Sequence, residues 1–114
     1  MSDTLYWIEV SIISTLLNQD LLTESELSYI SSVELDMHLF NNLFHKNIIR
    51  AIKYLKSNNM PIFEIAITEQ LQKRGLFDQN GWIRIMEANP LGVSLFKMYY
   101  SSLSRNKLHL HNMI

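Results

Sequence analysis

There is no cysteine among the 114 residues. That excludes a disulfide framework, a thiolate zinc site and a cysteine nucleophile. Glycine and proline are scarce, at three and two, too few for a turn-rich β fold. No apolar run approaches the roughly 20 residues needed to cross a bilayer. The first apolar segment has no basic flank, only Asp3 and Glu9, which argues against a secretory leader. None of Gly75, Gly81 and Gly92 is followed by Lys, so the glycine-rich loop that cradles phosphate in an ATPase is missing.

Positive charge is absent from the first 45 residues. Asp3, Glu9, Asp20, Glu24, Glu26, Glu34 and Asp36 stand there without a Lys or Arg, a formal balance of -7. Residues 46–114 hold all 10 basic side chains against Glu64, Glu69, Asp78 and Glu87, a balance of +6. Two readings follow: surfaces that partly pair within the fold, or a surface that steers a charged partner.

What is present is helical periodicity. At 47% hydrophobic residues, one domain over 1–114 has material for a core. Thr4 suits the cap of a helix over about Leu5 to Asn18, apolar nearly all round through Leu5, Ile8, Ile12 and Leu16 with Trp7, Val10, Ile13 and Leu17, which places it centrally. Thr23-Glu24-Ser25-Glu26 has capping-box spacing and starts a short helix to about Ser31. Residues 32–43 are irregular, with Leu35, Leu39, Phe40 and Leu43 as apolar anchors. A helix from about Phe44 to Lys56 carries Ile48, Ile49, Ile52 and Leu55 on one side and Lys46, Arg50 and Lys53 on the other. Pro61 suits the first position of the next helix. Ile62, Ile65, Ala66 and Leu71 form its inward side, and Gly75 its left-handed stop. Asp78 to Gly81 reads as a turn, Trp82 to Ala88 as a short helix ended by Pro90, and the chain after Gly92 as one long helix. The fold class is all-α: a compact orthogonal head of about five short helices over about 4–90, then a longer helical arm over about 91–112.

Catalytic chemistry is thin. His109 and His111, two apart, point to different faces of a helix. His38 and His45 are separated by an irregular segment, and His45 suits a helix start with its ring on backbone or water. Glu24 with Glu26, and Glu34 with Asp36, read as capping or solvated charge. No cofactor, metal ligand or catalytic residue is assigned. Lys46, Arg50 and Lys53 are candidate phosphate contacts, but three cations give modest affinity. The turn at Asn58 to Pro61 permits a helix-turn-helix reading, which Glu64 and Glu69 on the second helix oppose. Trp7 and Trp82 read as core or half-core aromatics. On the arm, Leu95, Met98, Tyr99, Leu103 and Leu110 form an incomplete apolar stripe: an interface if the arm projects, a covered face if it folds back.

The order of these elements resembles the N-terminal domain of the bacterial replicative DNA helicase, the DnaB type. The resemblance rests on Ile8-Glu9, Leu16-Leu17, Phe40 five residues before His45, Pro61-Ile62, Leu71 to Gly75, and Asn89-Pro90 before a helix with Tyr99 or Tyr100. The chain departs from the pattern at Asn41-Asn42-Leu43, at the single Asn80-Gly81 and in the short stretch from Gly81 to Pro90. The resemblance implies a cytoplasmic, non-catalytic head that pairs into dimers, builds a collar on the hexamer and docks primase. The motor chemistry would lie elsewhere, in a longer ATP-dependent helicase. In the family the long helix is the first arm of a hairpin, and Ile114 falls near the end of that arm. Part of a longer helicase and a stand-alone phage or plasmid regulator that binds host helicase or primase are both expectations. A small DNA-binding regulator is a third.

Overall fold

The computed structural model describes the backbone of residues 2–112 and the side chains of residues 4–105. Among these residues there are six α-helices, two short 3-10 turns and no strand, an all-α fold. Helix α1 (Ser2–Leu17) packs against three other helices, α3 (Leu43–Ser57), α5 (Gln79–Glu87) and α6 (Val93–Asn112). Its Val10, Ile12, Ile13, Leu16 and Leu17 are buried, the central position that apolar residues on nearly every side demand. It begins at Ser2, so Thr4 lies in its first turn and is not its cap; nothing in Ser2-Asp3 breaks a helix. Trp7 is 51% exposed, a surface residue where a core or half-core aromatic was expected.

Helix α2 (Glu24–Ser32) opens on the expected capping box: the Glu26 amide donates to Thr23 Oγ1 at 3.3 Å and the Thr23 amide to Glu26 Oε1 at 2.9 Å. Between α2 and α3, Asp36 caps a 3-10 turn over Met37–Leu39. Leu35 and Phe40 anchor this segment in the core, whereas Leu43 starts α3 facing solvent. Helix α3 is capped by Asn42, whose side chain accepts from the His45 amide at 3.1 Å. It buries Phe44, Ile48, Ile49, Ile52 and Leu55.

Two helices end in the same device. At the end of α3, Asn59 takes φ +55° and the Met60 amide reaches back to the Leu55 carbonyl at 2.8 Å. After α4 (Glu64–Lys73), Gly75 takes φ +68° and the Leu76 amide reaches the Leu71 carbonyl at 2.8 Å. Both are Schellman stops, which need a residue tolerant of the left-handed region.

Pro61 does not open α4. The chain stays extended through Phe63, the helix cap, and this lets Ile62 reach the crevice formed by Leu16, Ile30 and Ile52. Burial of that side chain outweighs the local preference for proline at a first helical position. The start shifts the inward face to Ile67 and Leu71, and Ile65 is left 75% exposed. Likewise Asp78 to Gly81 is no separate turn: Asp78 caps α5 by accepting from the Gly81 amide at 3.3 Å.

Helix α1 also carries buried polar groups that hold the returning chain. Ser14 Oγ donates to the Ala88 carbonyl at 3.1 Å, and Thr15 Oγ1 accepts from the Leu91 amide at 2.8 Å. These bonds fix the Asn89-Pro90 corner from which α6 departs. The radius of gyration, 13.8 Å, is close to the ~13 Å of a compact chain of this length.

Candidate interaction surfaces

The first turns of α6 lie on the head. Phe96 and Leu103 are buried, and Tyr99 and Tyr100 are half-buried. The Tyr100 ring stacks on Phe96 with centroids 5.9 Å apart. Its hydroxyl accepts from the Asp36 amide at 2.9 Å and donates to the Glu34 carbonyl at 3.2 Å. Burial pushes the Tyr100 hydroxyl above the ordinary tyrosine range, partly opposed by the bond from the Asp36 backbone. Lys97 sits over the Tyr29 ring, 4.4 Å from its centroid.

This docking divides the expected stripe. Leu103, at 1% exposure, belongs to the chain's own core and not to an exposed row. Helix α6 turns it inward with Phe96 and Tyr100, two turns and one turn before it. Leu95 and Met98 face solvent at 44% and 56%. The side chain of Leu110 lies outside the described residues.

A second apolar surface was not singled out from the sequence. An open groove of about 660 Å³ runs between the end of α1 and the start of α4, bordered by Met60, Phe63 and Ile65. Phe63 is 64% exposed and Ile65 75%. Met-Pro-Ile-Phe read as a helix start conceals that this segment is extended and shows alternate side chains outward.

A third surface lies where α1 meets α5 and the chain entering α3. Tyr6, Trp7, Asn41 and Arg84 line an open groove of about 640 Å³. Arg84 Nη1 donates to the Tyr6 hydroxyl at 3.3 Å, and this contact raises the guanidinium further above its usual range. Glu9 and His45 lie beneath this surface. His45 is wholly buried, and its Nδ1 pairs with Glu9 Oε1 at 2.7 Å. Its partner is thus a carboxylate, not the backbone or water expected. His38 is exposed on the 3-10 turn; the side chains of His109 and His111 lie outside the described residues.

Among the described residues, no Lys or Arg lies within ion-pair distance of an Asp or Glu; the ion-pair contact there is Glu9 with His45. Among those residues the acidic first part and the basic second part therefore form no Lys or Arg ion pair with each other. On α3, Arg50 and Lys53 are exposed and Lys46 half-buried. No helix of the described residues is long and apolar enough to cross a membrane.

The geometry offers exposed apolar faces on a helical head. No curated protein and no solved structure matches the chain significantly. Residues 5–99 match the family model described as DnaB-like helicase N terminal domain, a span from the first turns of α1 to the docked part of α6, and the chain belongs to that family.

Proposed function

We propose that this helicase-associated replication domain is an assembly and protein-docking module of a replicative DNA helicase, self-associating in a dimer-based oligomer and docking primase or helicase subunits. The observation that carries the reading is the pair Leu95 and Met98, exposed on a helix whose opposite side is anchored to the head through Phe96, Tyr100 and Leu103. A rigidly held helix with large apolar side chains toward solvent presents a preorganised contact surface. Tyr99, half-buried beside them, extends that surface toward the head. The open groove at Met60, Phe63 and Ile65 supplies a second apolar surface for a partner.

Sedimentation velocity tests the reading. The chain should associate as its concentration rises. Leu95→Asp with Met98→Asp should shift it to monomer with unchanged helix content by circular dichroism, because both side chains already face water. A monomer at every concentration, or association indifferent to the double substitution, would remove α6 as the contact surface. Copurification with primase, and separately with intact helicase, identifies the docked partner.

A further inference from the structure

A crevice of about 100 Å³ lies between α3 and α4 and holds two arginines. Arg50 comes from the middle of α3 and Arg74 from the cap that ends α4. No carboxylate lines the crevice. Among the described residues neither guanidinium has an Asp or Glu within ion-pair distance. Two permanent cations bordering one small space repel each other, and an anion between them removes that cost. The planar guanidinium fork matches the oxygens of a phosphate.

The rest of the lining fits the same occupant. Gln70 and Tyr54 add neutral donors, and Leu71 forms an apolar floor. Asn47, 8% exposed, also lines the crevice and adds an amide to its wall. The α4 terminus does not oppose an anion strongly, because the Leu71 and Gln72 carbonyls are already taken by the Leu76 and Gly75 amides. Beyond the crevice, Lys46 and Lys53 continue the line of Arg50 along α3 at i-4 and i+3. Tyr54, 43% exposed, offers an aromatic face beside the cations.

We propose that this crevice binds a phosphate of a single-stranded nucleic acid, with Arg50 and Arg74 on the phosphate, Lys46 and Lys53 along the neighbouring backbone and Tyr54 stacking a base. Cations that track a backbone beside an exposed aromatic ring are the means by which single strands are held without sequence preference. A duplex fits poorly, because the crevice, at about 100 Å³, admits a single phosphate.

Fluorescence anisotropy of a labelled oligothymidylate at low salt tests this. The chain should bind, with affinity falling as salt rises. Arg50→Gln with Arg74→Gln should lower the slope of log affinity against log salt by about 1.4, two contacts at roughly 0.7 each. Tyr54→Ala should weaken binding at an unchanged slope, and Lys97→Gln, which removes a cation that sits over Tyr29 and does not line the crevice, should change neither. Circular dichroism checks each variant's fold. Absence of binding at low salt overturns the proposal, as does a slope unaltered by the arginine substitutions. Equal affinity for a duplex, or for a polyglutamate peptide of the same charge, overturns the single-strand assignment.

Discussion

Glu9 and His45 stand 36 residues apart and meet at 2.7 Å in the interior. The Glu9 carboxylate also accepts from the Asn41 amide at 2.8 Å and the Asn42 amide at 3.3 Å. One side chain of the central helix thus satisfies the backbone that enters α3 and the first-turn histidine of that helix. Negative charge at a helix N-terminus is favourable in itself. The opposite ring atom, His45 Nε2, is buried without a partner, so the orientation of the ring depends on Nδ1 and on the Tyr6 ring, 4.9 Å away.

Glu9→Ala should therefore be among the most damaging single substitutions, because it strands two amides and a ring nitrogen at once. The expected loss is roughly 3–5 kcal/mol. Glu9→Gln, which retains one acceptor oxygen, should lose about 1–3 kcal/mol. Urea unfolding of the two variants checks the order. Equal, small losses would mean that the carboxylate does not hold the α3 entry.

Short-range features were legible in the sequence where both partners lie within a turn of each other. The Thr23 capping box and the Gly75 stop are of this kind. His45 was legible as a helix start, but Glu9 as its partner was not, since no local pattern links residues so far apart. Pro61 shows the reverse failure: its local preference was clear, and burial of Ile62 overrode it. On α6 the periodicity admits two stripes. Leu95 and Met98 fall on one, and Phe96, Tyr100 and Leu103 on the other, at i, i+4 and i+7. Spacing says which residues share a face, not which face is covered. The Arg50–Arg74 crevice was half legible, because Arg50 was marked by its helix and Arg74 reaches it only through the packing of α4 on α3.

Glycine substitutions should separate two reasons for glycine. A Cβ on Gly81 would stand 2.7 Å from Phe44 Cδ2 and 3.1 Å from Phe44 Cε2. Phe44 is itself buried, edge-on to Phe77, so its ring has little room to move. Helix propensity alone favours alanine there by about 1 kcal/mol, but overpacking costs typically 1–3 kcal/mol. Gly81→Ala should be net destabilising. Gly75→Ala meets no atom within 4 Å and should lose only about 1 kcal/mol, the cost of its left-handed backbone. Thermal melts rank the two; a stabilised Gly81→Ala would show that the Phe44 ring yields.

Tyr100 should make the chain sensitive to alkali. Its hydroxyl titrates above the unfolded value of about 10 because burial disfavours the phenolate. A group raised on folding contributes stability that is fully present below the unfolded value and is lost as pH rises through the higher folded value. Stability should thus decline above pH ~10, and Tyr100→Phe should remove that part of the decline. At neutral pH the same substitution should lose about 1 kcal/mol, from the bonds to Glu34 and Asp36. Ultraviolet difference titration of the two proteins isolates the Tyr100 transition. A transition at the ordinary tyrosine value would mean that the 34–36 segment does not cover the hydroxyl.

Leu95 and Leu103 should respond oppositely to the same truncation. Leu103→Ala opens a cavity under α6 and should lose about 2–5 kcal/mol, with the range set by how far Phe96 and Tyr100 collapse into the space. Leu95→Ala removes a side chain that is 44% exposed and should change the stability of the monomer by no more than about 0.5 kcal/mol. Under the assembly reading it should instead weaken association, visible as a concentration-dependent melting temperature that loses its dependence. Chemical unfolding at several protein concentrations separates the two effects in one experiment. A large, concentration-independent loss for Leu95→Ala would place that residue in the chain's own core and remove it from the outward face of α6.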